Sequence, residues 1–201
     1  DPHLLWQIRG GSRGSLGDFR ELGQTWSRPT RVRLRIGGET LPRDALLFSA
    51  GYDPAQDDAR TRTRDGQGRG MYLVDALSGE LLWSGGRAQA QAWTREFAGM
   101  DYAFPGAPAA VDADNDGLAD LWFAADTGGQ LWRFDIHHDA PAARLVSGGI
   151  IGRLGAGEGR DEVGDNRRFF ASPSVAIAGG VNGPELAVAI GSGFRLSPLS
   201  V

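Results

Sequence analysis

The sequence predicts an all-β fold built from β-propeller blades of four antiparallel strands each. Apolar residues occur in short runs separated by turns, and 31 glycines and 10 prolines lie among the 201 residues. The order of proline, apolar run and glycine turn also recurs along the chain. Repeated four-stranded antiparallel units of about 40–50 residues are typical of propeller blades.

Each predicted repeat begins at a proline that follows a small residue by two positions. These prolines are Pro29, Pro108 and Pro173. Each proline leads into a short apolar strand, and these first strands end near Val32, Val111 and Ile177. Proline is compatible with the start of a strand, where its missing N–H is not needed by the ladder.

Further apolar runs predict the other strands of each repeat. Second strands are expected at 46–51, 121–126 and 186–191, third strands at 71–75 and 131–135, and fourth strands at 81–86 and 145–149. Turn glycines precede both third strands, at Gly70 and at Gly128 with Gly129. Residues 4–6 are expected to form the fourth strand of a preceding repeat.

This pattern predicts a single propeller domain over residues 1–201, with blades at about 25–86, 104–149 and 169–201. Because closed propellers have about four to eight blades, the chain is expected to be a partial propeller of about two and a half blades. The remaining blades of a parent propeller would then be its partners.

Three segments interrupt the repeats. Residues 53–70 are polar and charged, so we expect them to be mobile, with little to bury. Residues 87–97 lack glycine and proline and predict a short helix that packs Trp93 and Phe97 onto the blades. Residues 154–168 form a glycine-rich charged loop in which Asp161, Glu162 and Asp165 are a weaker candidate cation site.

Composition excludes several functions. The formal charge of −4 comes from mixed charges, which does not favour a nucleic-acid partner. The absence of cysteine excludes disulfides, thiol catalysis and thiolate metal sites. No apolar stretch approaches the roughly 18 residues of a membrane helix. His137 and His138 are adjacent, so on an extended chain they point in opposite directions and are expected to be ordinary loop residues.

The run 111–120 (VDADNDGLAD) predicts a calcium site. A loop that wraps a cation turns alternate side chains inward, and calcium takes six to eight oxygen ligands. Asp112, Asp114, Asp116 and Asp120 would supply side-chain oxygens, and Leu118 would supply its backbone carbonyl. Gly117 lies where the loop needs a sharp turn.

The calcium loop is flanked by strands and is not an EF-hand. Phe123 stands at the twelfth position, where an EF-hand requires glutamate. The alternative is an acidic turn held by hydrogen bonds from aspartate side chains to nearby backbone N–H groups. We favour the cation, because four carboxylates this close repel one another unless a positive charge neutralises them.

Four tryptophans lie on or beside predicted strands. These are Trp26, Trp83, Trp122 and Trp132. Broad aromatic rings bury much apolar area, so we expect all four to fill the space between blades.

Residues 26–195 resemble the carboxy-terminal β-propeller of the PilY family, calcium-binding proteins at the tip of type IV pili. The resemblance rests on four segments: 24–29 (QTWSRP), 71–83 (MYLVDALSGELLW), 108–135 (PAAVDADNDGLADLWFAADTGGQLWRFD) and 189–195 (AIGSGFR). Carried onto this sequence, the family's calcium ligands are Asp112, Asp114, Asp116, the carbonyl of Leu118 and Asp120.

The resemblance implies a protein that is not an enzyme and that acts in type IV pilus assembly, in control of extension and retraction, in twitching motility and in adhesion. It also implies Ca²⁺ as the bound ion, with pilus proteins such as minor pilins, and host or surface ligands, as partners. The expected location is the cell surface or pilus tip, or the outer membrane or periplasm, of a Gram-negative bacterium.

Two alternatives remain open. Integrin-like or lectin-like adhesion propellers carry similar calcium loops, although they tend to repeat the loop in several blades. Quinoprotein dehydrogenases have blade repeats similar to residues 72–83 (YLVDALSGELLW), but the sequence shows no catalytic constellation.

Overall fold

The structure is a computed structural model that describes residues 3–14, 16–57, 63–155, 167–180 and 183–193. Strands dominate the described residues: β1 Ser12–Gly14, β2 Gly17–Phe19, β3 Thr30–Leu34, β4 Arg43–Ser49, β5 Gly70–Asp75, β6 Leu81–Gly86, β7 Arg95–Glu96, β8 Ala109–Val111, β9 Leu121–Ala125, β10 Gln130–Ile136, β11 Val146–Arg153, β12 Ser174–Gly180 and β13 Gly183–Ala189. One 3-10 turn (Pro54–Gln56) and one helical turn, α1 (Ala142–Leu145), accompany them. Within this described part, no helix is long and apolar enough to cross a bilayer.

The first large sheet has the strand order β3-β4-β5-β6-β7. Strands β3 to β6 pair in antiparallel fashion between sequence neighbours, as expected for a blade. The short β7 adds a fifth strand, parallel to β6, through Gly85 with Arg95 and Gly86 with Glu96. The first sheet is therefore one strand wider than the predicted four.

The second sheet has the order β11-β10-β9-β8, and β12 pairs with β13 in a further antiparallel sheet. Strand β8, which begins the second sheet, contacts both β3 and β12. The first strands of the three sheets are therefore neighbours, as they are around the axis of a propeller. The all-β, propeller-like fold predicted from the repeats is confirmed.

The main core lies between the first and second sheets. Alternate residues of a strand face the same side. One alternate set of side chains from each of β4, β5, β9 and β10 therefore points into this layer. Trp83, Trp122 and Trp132 are fully buried in it, as predicted. Trp26 is the exception, because its side chain is 43% exposed and lies against the Tyr52 ring.

The opposite face of the first sheet is covered by the N-terminal segment. Phe19 and Leu22 are buried there against Tyr72 and Val74. The prediction that residues 4–6 form the outer strand of a preceding repeat is wrong, because Leu4 and Leu5 are exposed and outside any strand. An apolar run alone does not make a strand when it has no neighbour to pair with.

The helix predicted for residues 87–97 is also wrong, and β7 ends this segment instead. The Trp93 indole N–H donates to the Arg87 carbonyl at 2.7 Å, and Gln89 has a φ of 66°, outside the helical region. The pairing of β7 with β6 and the packing of Trp93 on the first sheet are tertiary contacts, which override helix propensity. The expected packing is confirmed, since Phe97 enters the main core and Trp93 packs against the layer on the opposite face.

The segment 53–70 buries more than its composition suggests. Asp53, Gln56 and Asp65 are each at most 4% exposed. The two Asp53 oxygens accept backbone N–H groups of Ala55 at 3.0 Å and Gly66 at 2.6 Å, which ties the segment's ends together. The expectation that this segment has little to bury is therefore wrong for its described residues, which exclude 58–62.

Candidate metal centre

The predicted calcium loop joins β8 to β9 at the inner edge of the second sheet. The N–H of Asp120 donates to the Val111 carbonyl at 2.9 Å and closes the base of the loop. The chain reverses through Asn115 and Gly117, whose φ angles are 63° and 87°. Asparagine and glycine are the residues that adopt this left-handed region most readily.

The loop brings three of the predicted ligands together. One oxygen from each of Asp112, Asp114 and Asp116 lies within 4.8 Å of the others. Asp112 is half-buried, whereas Asp114 and Asp116 are exposed. The alternation of side chains along the turn, noted in the sequence, produces this convergence.

Each of these carboxylates also braces the loop with one oxygen. Oδ2 of Asp112 accepts the Gly117 N–H at 2.9 Å, and Oδ1 of Asp116 accepts the Leu118 N–H at 2.8 Å. Oδ1 of Asp114 accepts the Asp116 N–H at 3.1 Å. Such hydrogen bonds from nearby backbone N–H groups are expected for the alternative, an acidic turn. The loop therefore shows both these hydrogen bonds and the converging carboxylates expected for a cation site.

One oxygen of Asp112 distinguishes the two interpretations. Its Oδ1 is buried and has no hydrogen-bond partner among the described residues. A buried carboxylate oxygen without a donor is unfavourable, and a cation beside it would remove that cost. The residues present therefore fit an oxygen-coordinated divalent ion.

Asp120 takes a different position from the triad. Its Oδ2 accepts the Ala113 N–H at 2.6 Å across the mouth of the loop, and its backbone carbonyl accepts the Ile136 N–H at 2.7 Å. Leu118 is 3% exposed and anchors the loop in the fold. Asp120 and the Leu118 carbonyl stay predicted ligands.

The loop rests against the first sheet. The Ala119 N–H donates to the Arg33 carbonyl of β3 at 3.0 Å. Beside this contact, a groove of about 260 Å³ lies between β3 and the loop. It is lined by Arg31, Arg33 and Asp112, with apolar residues between them. The loop and Arg33 are some 80 positions apart in sequence, so the local sequence pattern does not predict their contact.

A second group of buried acids lies between the segment 53–70 and the turn that joins β9 to β10. Asp65 is 2% exposed, and its Oδ2 accepts the Ala103 N–H at 2.6 Å and the Thr127 hydroxyl at 2.8 Å. Burial raises the pKa of Asp65 to about 6. Burial also raises the pKa of Asp126 to about 7. Sequence reasoning missed this group, because Asp65 precedes a glycine and is typical of an exposed turn.

The other candidate metal ligands do not assemble. Among the described residues, His137 contacts the Ser147 hydroxyl at 2.7 Å, and His138 Nδ1 accepts the Arg35 N–H at 3.3 Å. Neither belongs to a cluster that could hold a metal within that part of the chain. The weaker site predicted at Asp161, Glu162 and Asp165 lies outside the described residues.

Comparison with known proteins finds no match to a protein-family model. The chain is 27% identical over 136 residues, 68% of its length, to the type IV pilus biogenesis factor PilY1 of Pseudomonas aeruginosa (strain UCBPP-PA14). It spans 9% of the length of that relative.

Among solved structures, the chain is similar to a crystal structure of the Pseudomonas aeruginosa PilY1 C-terminal domain. The TM-score is 0.57 at 22% sequence identity, over 87% of this chain and 33% of that one. At this identity the match shows a shared fold. Together the matches confirm the resemblance found in the sequence: the chain is similar in sequence and in fold to part of PilY1.

Proposed function

We propose that this chain is a calcium-binding part of a β-propeller in a type IV pilus biogenesis protein, and that it acts by binding rather than catalysis. The observation that carries the proposal is the convergence of the Asp112, Asp114 and Asp116 oxygens within 4.8 Å. Like charges at this spacing repel, and a hard divalent cation both neutralises them and prefers their oxygens.

Asp112, Asp114 and Asp116 would hold the ion, with Asp120 and the Leu118 carbonyl as the further proposed ligands. A bound calcium ion would supply two positive charges and would cross-link the loop. Because Ala119 is hydrogen-bonded to Arg33, an ordered loop would also stabilise the contact between the first and second sheets.

The pilus role is supported by the similarity to PilY1, whose name describes type IV pilus biogenesis. The chain corresponds to a small part of that protein, so assembly, extension and retraction, and adhesion are proposed for the whole protein to which this propeller would belong. Pilus proteins such as minor pilins, and host or surface ligands, are the proposed partners, and the cell surface is the proposed location.

Calcium should raise the melting temperature of the chain. We expect a dissociation constant of about 10⁻⁶–10⁻³ M, and a gain of roughly 2.7 kcal/mol in unfolding free energy at a hundredfold excess over that constant. Asp116→Ala should abolish the gain. The measurement is thermal melting in chelator and in millimolar calcium, together with titration calorimetry.

Asn115→Gly is the matched control for this experiment. Asn115 has a left-handed φ of 63°, which glycine adopts without strain, whereas alanine would add a backbone cost unrelated to calcium. The glycine variant should keep most of the calcium gain. The ligand assignment is wrong if chelator leaves the wild-type melting temperature unchanged, or if Asn115→Gly behaves like Asp116→Ala.

The pilus role needs a test in the bacterium that carries the gene. Asp112→Ala and Asp116→Ala, introduced into the full-length protein, should change the amount of surface pili and reduce twitching, while Asn115→Gly should not. Equal protein levels must be confirmed by immunoblotting. Normal pili and twitching in the aspartate variants would contradict a role for this loop in pilus function.

A further inference from the structure

The side chain of Arg33 places a positive charge beside the acidic loop without forming an ion pair with it. A methyl group built on Gly117 would lie 4.0 Å from Nη1 of Arg33, so the guanidinium is at the turn of the loop. Among the described residues, Arg33 forms no ion pair within 4.0 Å with a loop carboxylate. Its charge therefore acts on the loop through space.

The charge of Arg33 is only weakly neutralised elsewhere. Its ion pair is with Oδ1 of Asp44 at 3.7 Å, which is too long for a hydrogen bond. Arg31 already uses the same oxygen at 2.8 Å. Two guanidinium groups thus share one carboxylate, which leaves Arg33 free to offset the negative charge of the neighbouring loop.

We infer that Arg33 is a counter-cation of the acidic loop, which stabilises the loop when it holds no calcium and lowers its calcium affinity. This inference rests on the proposed calcium site. Without the ion, the guanidinium offsets part of the repulsion among Asp112, Asp114 and Asp116. With the ion bound, the same guanidinium faces a divalent cation and repels it.

Removing the charge should therefore have two opposite effects. Arg33→Gln should bind calcium about three- to tenfold more tightly, as expected for loss of a unit charge several ångströms from a divalent ion at a surface. The same variant should melt at a lower temperature than wild type in chelator. A purely structural role would instead lower stability in both conditions and would not tighten binding.

The experiment is titration calorimetry with calcium chloride, and thermal melting with and without chelator, on wild type, Arg33→Gln, Arg33→Lys and Arg20→Gln. Arg33→Lys keeps the charge and should retain an affinity near that of wild type. Arg20 is the matched control, because its side chain is 48% exposed against 46% for Arg33 and it pairs with Asp18 on the N-terminal segment. Arg20→Gln should leave the calcium affinity unchanged.

Salt provides an independent check. The difference in affinity between wild type and Arg33→Gln should shrink as ionic strength rises from about 0.01 M to about 1 M, since the Debye length falls from about 30 Å to about 3 Å. Titrations at both ionic strengths measure this directly.

The outcomes separate this inference from the proposed function. If wild type binds calcium and Arg33→Gln binds it with the same or lower affinity, the counter-cation role is wrong and the calcium site stands. If wild type, Arg33→Gln and Arg33→Lys all fail to bind millimolar calcium, the calcium site is wrong and the inference falls with it.

Discussion

At the scale of single residues, the environment of Asp65 differs from the exposed turn that its sequence suggests. Its Oδ1 is buried without a partner, while its Oδ2 accepts two hydrogen bonds. Burial raises the pKa of Asp65 to about 6, and the hydrogen bonds from Ala103 and Thr127, with the charge of Arg168, oppose that rise only in part. The folded chain therefore holds the Asp65 proton up to a higher pH than the unfolded chain does.

The contribution of Asp65 to the stability of the chain should fall as pH rises from about 4 to about 6. In this window the folded state holds a proton on Asp65 that the unfolded state has released, because the ordinary pKa is 3.8 and the folded pKa is about 6. This contribution is on the order of 2–3 kcal/mol. Asp126, with a pKa of about 7, extends the fall towards neutral pH.

Asp65→Asn should remove part of this dependence and stabilise the chain above pH 7. The amide oxygen can still accept the bonds made by Oδ2, and the amide nitrogen carries no charge to bury. Asp139→Asn, at an exposed aspartate paired with Arg35, should keep the wild-type profile. Melting from pH 4 to 8 in calcium-free buffer tests both variants, and an unchanged slope in Asp65→Asn would contradict the assignment.

At the scale of elements, two paired glycines hold an aromatic ring against the first sheet. Gly70 of β5 lies opposite Gly86 of β6. The six-membered ring of Trp93 lies over both, where a Cβ at either position would overlap it. In the sequence these glycines indicate strand ends and turns. Their tertiary role is to leave room for Trp93.

Gly86→Ala should destabilise the chain by about 1–3 kcal/mol through overpacking. The added methyl would overlap Trp93 and lie 2.7 Å from the carbonyl oxygen of Arg69, which belongs to the backbone and cannot rotate away. Gly149→Ala is the control, because nothing lies within 4 Å of a methyl at that strand position. Chemical denaturation measures both, and equal effects would show that strand propensity, rather than the Trp93 contact, is responsible.

At the scale of the whole molecule, one aromatic layer joins the two large sheets. Trp122 of β9 stacks on Phe134 with ring centres 5.1 Å apart and meets Trp83 of β6 edge-on at 5.8 Å. Its indole N–H points to the Met71 sulfur at 3.2 Å. Residues from both sheets thus form a single core, so we expect the sheets to unfold together.

Trp122→Ala should cost about 3–5 kcal/mol, since it leaves a large cavity in this layer. Trp26→Ala should cost about 1 kcal/mol or less, because that side chain is 43% exposed. Denaturation followed by both fluorescence and circular dichroism gives the two values. Separate transitions for the two signals would contradict a shared core.

The sequence by itself determined most strands of the large sheets, their order along the chain and the acidic loop. Strand periodicity, turn glycines and the spacing of Asp112, Asp114 and Asp116 are local properties, so they can be read from the sequence without knowing which segments meet. For this reason the strands predicted near Val32 and Val111 are present in the structure as β3 and β8. The resemblance to PilY could be recognised from the sequence for the same reason.

Only the tertiary structure decided which segments meet. Arg33 contacts the loop, and Asp65 is buried against Ala103 and Thr127, across long stretches of sequence. Trp93 packs over glycines of two different strands. No periodic pattern in the sequence encodes these contacts. The strand predicted at residues 4–6 and the helix predicted at 87–97 are wrong for the same reason. Pairing partners and buried contacts, not propensity, set the conformation of those segments.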